Sequence, residues 1–286
     1  MKQYLELVKE IINNGEWKNQ RATTKDGQPL KTKSITGYMF KHDMNLGFPL
    51  LSTKFVSLKT ICVELEFFIK GLSNKRWLQE RKCNIWNDWS NPSSKDPDDL
   101  GRVYGVQWRS FKQITPLSQD DISVCHIDYI DQLQNVIDTL KKDPTSRRML
   151  VTAWNPAELN QMALPPCHYS FQLLSNGTSV DLIWSQRSVD VPLGLPYNIA
   201  SYAMLLKIIC HLTGMKPRYL IGQLADCHIY ENQMTKIKHQ LAREPMFQKP
   251  EVSFKNDFKS LDEWSCDNYI LTGYSHHESI KMDIAV

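Results

Sequence analysis

Leu164-Pro165-Pro166-Cys167-His168 places a thiol behind two prolines, and a dense series of polar residues follows it along the chain. Gln186-Arg187-Ser188-Val189-Asp190 comes next, then Leu195-Pro196-Tyr197-Asn198, then Asp226-Cys227-His228-Ile229-Tyr230. A thiol can serve as a nucleophile. An arginine–serine pair suits phosphate, because the guanidinium fork bonds two oxygens and the hydroxyl adds a donor. The Asn198 carboxamide can donate to O4 and accept from N3–H of a uracil edge, where cytosine presents the reverse pattern. His228 and Tyr230 alternate on a strand-like segment, so both face one side and suit sugar hydroxyls. These residue types describe a nucleotide site that also holds a nucleophile. Binding alone would not need Cys167.

Each residue also has a plainer reading. A single cysteine is often a small buried hydrophobe. Arg147-Arg148, just beyond a helix end, are either charge at a helix C-terminus or a phosphate clamp. Asn198 stands at the mouth of an apolar helix and suits an N-cap as well as a base edge. Glu64 and Glu66 share an apolar helix, where a carboxylate either borders the buried stripe or is held for proton work. Arg187, on the strand expected to neighbour Cys167, is placed to favour its thiolate.

The elements that carry these residues follow from periodicity. Tyr4, Leu7, Val8, Ile11 and Ile12 predict a helix over 2–14, ended by Asn14-Gly15. A second helix is expected over 57–70, and a third on Ile130, Leu133, Ile137 and Leu140 that stops before Pro144. Residues 20–36 read as a polar stretch around the turn Lys25-Asp26-Gly27-Gln28-Pro29, and residues 112–124 as a second polar connection. Residues 91–99 read as a surface loop. Strands are expected over 169–174 and 180–185, joined at Asn176-Gly177 as a hairpin. An apolar helix follows over 198–213, closed by Gly214, with further strands over 218–224 and 269–274. The mixture predicts one α+β domain over 1–286.

Composition narrows the class. The chain has 286 residues, 42% of them hydrophobic, with eight Trp and eleven Tyr, enough for a substantial core rather than a disordered chain. No stretch approaches the ~20 apolar residues of a membrane span, and the first residues lack the apolar run of a signal peptide. Seven scattered cysteines without a Cys-x-x-Cys pair argue for free thiols, against a zinc cage or disulfide framework, and for a reducing, cytoplasmic setting. A net charge of +3 does not indicate RNA or other bulk nucleic-acid binding.

Read in order, the segments resemble the folate-dependent thymidylate synthase family over nearly the whole chain. The resemblance rests on Gly47-Phe48-Pro49-Leu50-Leu51-Ser52-Thr53-Lys54, Ile85-Trp86-Asn87-Asp88-Trp89 and Val103-Tyr104-Gly105-Val106-Gln107-Trp108-Arg109. It rests equally on Ser146-Arg147-Arg148, Ala153-Trp154-Asn155-Pro156, the Cys167 and Arg187 blocks, Leu193 to Tyr202, and Ile280 to Val286. The family implies an α+β fold around a large mixed sheet with packed helices, in a symmetric homodimer. It also implies methylation of dUMP to dTMP, with 5,10-methylenetetrahydrofolate supplying carbon and hydride and with no metal.

By that resemblance, Cys167 adds to C6 of the uracil ring. Arg21, Arg187 and Ser188 hold the phosphate, and Arg147 and Arg148 reach in from the partner subunit. Gln186 binds the substrate and Asn198 reads the uracil edge; His228 and Tyr230 hold the sugar 3′-hydroxyl. Asp190 meets the folate pterin, Glu64 shuttles protons, and Tyr104 stands near the C5 proton. Trp86 and Trp89 line the folate pocket, Lys54 meets its polyglutamate tail, and Val286 supplies a closing carboxylate.

The chain also departs from the family pattern. Ala22-Thr23-Thr24-Lys25-Asp26-Gly27-Gln28-Pro29 replaces the usual Thr/Gly run after Arg21, Phe55 follows Lys54, and Asn87, Arg102, Pro192 and Ala225 stand at altered positions. Glu66, two residues after Glu64, occupies a position that is usually apolar and resembles the deoxycytidylate hydroxymethylases. It raises a second reading, a dUMP hydroxymethylase in which water rather than hydride completes the reaction. A third is a nucleotide-binding regulatory protein without catalysis.

Overall fold

A computed structural model describes residues 1–117, 125–247 and 249–285. The chain opens with helix α1 (Lys2–Asn14), whose Tyr4, Leu7, Val8 and Ile11 are fully buried, as their spacing predicts. Strands β1 (Glu16–Thr23) and β2 (Pro29–Asp43) follow. Helix α2 (Leu58–Ile69) starts at Ser57, whose hydroxyl accepts from the Thr60 N–H at 3.3 Å. Short helices α3 (Arg76–Glu80) and α4 (Gly105–Arg109) flank the irregular 91–99 loop. A two-stranded ribbon, β3 (Phe111–Pro116) and β4 (Cys125–Ile130), leads to α5 (Gln132–Lys142), capped by Asp131.

The second half builds the sheet. Strands β5 (Leu150–Thr152), β6 (His168–Ser175) and β7 (Ser179–Asp190) precede helix α6 (Leu195–Thr213) and strand β8 (Lys216–Tyr230). Helix α7 (Met234–Leu241) and the small pair β9 (Glu251–Ser253) and β10 (Ile270–Thr272) complete the fold. Six strands form one mixed sheet in the order β1-β2-β8-β7-β6-β5. Only β7 and β8 run parallel; the other neighbours are antiparallel. Parallel neighbours need a long crossover, and α6 supplies it. That helix is apolar almost all round because it is buried almost all round. It ends at Gly214, whose φ of +69° a glycine adopts without strain.

The mixed sheet with packed helices is the α+β architecture expected, and four stretches differ from their sequence reading. The polar 20–36 stretch is the β1–β2 hairpin. The inner face of β2 carries Thr32 and Ser34 among Lys31 and Lys33, so the apolar alternation that marks a strand is missing although both are buried. The turn itself stands where expected, with Gly27 at φ +77°. The 112–124 connection contains β3 and β4, a ribbon exposed on both faces and so lacking a period-2 signal; its remainder, 118–124, lies outside the described residues. Strand β8 runs past the expected 224 to Tyr230, while the 269–274 strand narrows to 270–272. The β6–β7 hairpin turns at Asn176-Gly177, where the Asn176 side-chain oxygen accepts from the N–H groups of Thr178 and Ser179. No helix among the described residues is long and apolar enough to cross a membrane.

Candidate active site

Cys167 stands one residue before β6, and β7 fixes it from the side: the Arg187 N–H donates to the Cys167 carbonyl at 2.8 Å. The Arg187 guanidinium folds back on the two prolines. Nε donates to the Pro166 carbonyl at 3.0 Å and Nη2 to the Pro165 carbonyl at 2.8 Å, with the Trp154 ring beneath at 5.6 Å. The prolines have no N–H of their own, so their carbonyls are the polar groups this loop offers. The Cys167 N–H donates to the Tyr104 hydroxyl at 2.9 Å. Arg187 does act to favour the thiolate, as its placement suggested, but it does not prevail. Burial raises the thiol above its ordinary range and Asp190 adds to that; the opposing Arg187 charge and Tyr104 hydroxyl do not overcome it.

Tyr104 is held in a left-handed backbone conformation, φ +32°, at the entrance of α4. A non-glycine residue pays for that shape, and packing enforces it. Its ring stacks on Phe68 at 5.0 Å and lies 4.3 Å from the His168 ring. The next residue must be glycine, because a Cβ on Gly105 would come within 2.1 Å of the Phe68 carbonyl oxygen. His168 in turn meets the Tyr202 hydroxyl at 2.9 Å, and burial pushes its imidazole down to about 3. It is a neutral ring at every physiological pH.

Glu64 and Glu66 part company. Two residues apart on a helix lie about 200° apart around its axis, so the pair faces two directions. Glu64 accepts from the Trp86 indole N–H at 2.8 Å, and burial carries its carboxyl up to about 7 despite that bond. Its charge is felt at Tyr104 and Tyr202. Glu66 accepts from the Cys266 N–H at 2.8 Å and pairs with Lys70 at 2.7 Å, which together hold it below the usual carboxylate range although burial opposes them. Trp86 packs edge-on against Tyr104 at 5.9 Å and Trp89 at 6.1 Å.

The parallel β7–β8 register sets Ser188 opposite Asp226 and Asp190 opposite His228. Asp190 accepts from the Leu193 N–H at 3.0 Å and the Gln233 side-chain amide at 3.1 Å, yet burial still raises its carboxyl. The Lys54 ammonium is buried too. It donates to the Pro192 carbonyl, and burial lowers it to about 8 against the pull of Asp190. Asn198 lies inside the first turn of α6, whose N-cap is Gly194, so the capping reading fails. Its side-chain oxygen accepts from the buried Gln186 amide at 3.1 Å, which leaves the Asn198 NH2 pointing elsewhere. His228 meets the Asp226 carboxylate at 3.1 Å, and its ring lies 5.0 Å from that of Tyr230. Burial pushes the Tyr230 phenol up to about 12, with the nearby Arg21 charge opposing.

These residues therefore converge from α2, α6, β7, β8 and the loops before α4 and β6. Arg147 and Arg148 do not join them. Both are exposed on the loop before β5, near the far edge of the sheet, and among the described residues neither side chain forms an ion pair. Val286 lies outside the described residues. One member of the cluster carried no signal in the sequence. Gln233 is fully buried and joins Asp190 to the Asp283 carbonyl at 3.0 Å, while the neighbouring Lys236 pairs with the Asp283 carboxylate at 2.6 Å. A lone glutamine has no spacing to betray it.

A thiol, a fastened guanidinium, an oriented carboxamide and two recessed carboxyls thus meet on one mixed α+β sheet. The family model for thymidylate synthase matches residues 2–286. The chain is 39% identical over 311 aligned residues to the thymidylate synthase of Mycoplasma genitalium (strain ATCC 33530 / DSM 19775 / NCTC 10195 / G37), with all of both chains covered. The chain belongs to the thymidylate synthase family, and it is a methyltransferase.

Proposed function

We propose that this protein methylates C5 of dUMP with 5,10-methylenetetrahydrofolate, giving dTMP and dihydrofolate through a covalent bond between Cys167 and C6. The observation that carries this reading is the seating of Cys167 between the Arg187 guanidinium and the Tyr104 hydroxyl. Two of the Arg187 nitrogens are spent on the proline carbonyls, and Nη1 remains to meet a phosphate oxygen beside Ser188 and Arg21. Attack of the sulfur on C6 turns C5 into an enolate-like carbon able to take the folate methylene. Asn198, with its oxygen oriented by Gln186, reads the O4 and N3–H edge. His228 and Tyr230 take the sugar hydroxyl.

Glu64, poised at about 7, can release and recover a proton near neutral pH. The Tyr104 hydroxyl accepts from the Cys167 N–H and can turn its own proton toward the sulfur or the C5 side. Asp190, with Trp86 and Trp89, forms the folate wall, and Lys54 lies behind Asp190. Val286 is assigned the closing carboxylate. Hydride completes the reaction when folate stays in place and water is excluded. The direction of Glu66, turned to Cys266 and Lys70, supports hydride over water because it takes the second carboxylate away from Glu64. Arg147 and Arg148, exposed and, among the described residues, without an ion pair, are offered to the dUMP phosphate of a partner subunit in a homodimer. Residues 1–286 act as one cytoplasmic catalytic domain.

Incubation with dUMP and 5,10-methylenetetrahydrofolate, followed by mass spectrometry, tests the reading. dTMP and dihydrofolate are expected in equal amounts. Hydroxymethyl-dUMP without dihydrofolate would replace it with the hydroxymethylase.

A further inference from the structure

A cavity of about 290 Å³ opens where α6, the 44–48 turn and β9 meet, and none of its lining residues belongs to the site described above. Lys207 enters it from α6, where Leu205, Leu206, Ile208 and Ile209 on either side are fully buried. Among the described residues its ammonium makes no hydrogen bond or ion pair. Burial lowers its pKa, and Cys210 and then Glu251 offset that in part. Glu251 already pairs with Lys249 at 3.6 Å on the cavity rim. A partly buried ammonium without a partner is costly. The cavity thus carries two ammonium groups against one carboxylate; its accessible lining is mostly polar, with Met44, Phe48 and Val252 adding a smaller apolar part.

We propose that this cavity binds a small organic monoanion, a carboxylate on an apolar body of roughly ten heavy atoms, since the volume lies at the low end of ligand pockets. The Lys207 ammonium takes the carboxylate and the apolar part of the lining takes the body. Glu251 admits one negative charge and repels a second, so a dianion such as inorganic phosphate is disfavoured.

Benzoate is a suitable probe, used with the full-length protein saturated with dUMP so that the nucleotide site is filled. Titration calorimetry is expected to show saturable benzoate binding that weakens about tenfold or more in Lys207→Met, with benzamide and phosphate binding far more weakly. Thermal melting gives an independent readout. Without benzoate, Lys207→Met should melt above the wild type, because it removes an unpaired charge; benzoate should raise the wild-type midpoint and leave the variant's unchanged. Equal benzoate binding by both proteins, phosphate binding as tight as benzoate, or a Lys207→Met midpoint below wild type without benzoate would each overturn the proposal. The last would mean that the lysine already has its partner within the protein.

Discussion

At the scale of single residues, the two protons that matter are both displaced by burial. Glu64 is the sharper case. Its folded carboxyl titrates at about 7, well above its ordinary 4.5. The folded protein therefore holds a proton that the unfolded chain has released between those values, and stability falls as pH rises through that window. Below it both states are protonated and nothing is lost. Glu64→Gln keeps an acceptor for the Trp86 indole and removes the ionisation. It should raise stability by on the order of 2 kcal/mol at pH 8 and by little at pH 5, while turnover falls steeply; chemical denaturation at the two pH values measures it. Cys167→Ser should bind dUMP almost normally and lose turnover by roughly a thousandfold or more, since a hydroxyl near neutral pH is a far weaker nucleophile. Asn198→Asp keeps the oxygen that Gln186 bonds, so the variant should fold. It should lose dUMP turnover and gain dCMP use, assayed by competition between the nucleotides; equal loss on both would remove Asn198 from base selection.

At the scale of elements, what could be read from sequence depended on which face each element hides. α1 and α5 bury one stripe against water on the other, and their periodicity marks them; α2, buried on nearly every side, is marked by its apolar run. The β6–β7 hairpin is announced by Asn176-Gly177. β1 and β2 escaped because Thr32 and Ser34 line the hidden side, so polarity there reports no exposure. For the site, residue chemistry named the groups, but their meeting depends on the parallel β7–β8 register that sets Asp190 across from His228. That register exists only because α6 carries the chain back over the sheet, and no local pattern encodes it. The opposite facing of Glu64 and Glu66 was legible from helical geometry alone. The entrance to α4 belongs at this scale as well. Gly105→Ala would drive a Cβ to 2.1 Å from the Phe68 carbonyl, so α2 and α4 must separate. A stability loss of about 3 kcal/mol or more should appear in thermal melting, with a fall in turnover as the Tyr104 hydroxyl leaves Cys167.

At the scale of the whole molecule, the proposed homodimer, with Arg147 and Arg148 of each subunit serving the other's site, can be tested by subunit exchange. Cys167→Ser subunits and Arg147→Ala/Arg148→Ala subunits should each be nearly inactive alone. Random exchange makes about half of the dimers mixed, and one of the two sites in each is whole, so activity should approach about a quarter of the wild type. No recovery after exchange confirmed by native mass spectrometry would return both arginines to their own chain.

The raised Cys167 thiol also bears on how long the molecule lasts. Peroxide and alkylating agents consume thiolates, and attack follows thiolate character and exposure. A sulfur held in the protonated form and only partly accessible is spared much of that damage. Cys125, exposed on β4, should be carbamidomethylated by limiting iodoacetamide well before Cys167, as peptide mass spectrometry would show. The burial that slows the first step of catalysis thus acts as a preservative, so the enzyme should age through its surface before it ages through its active site.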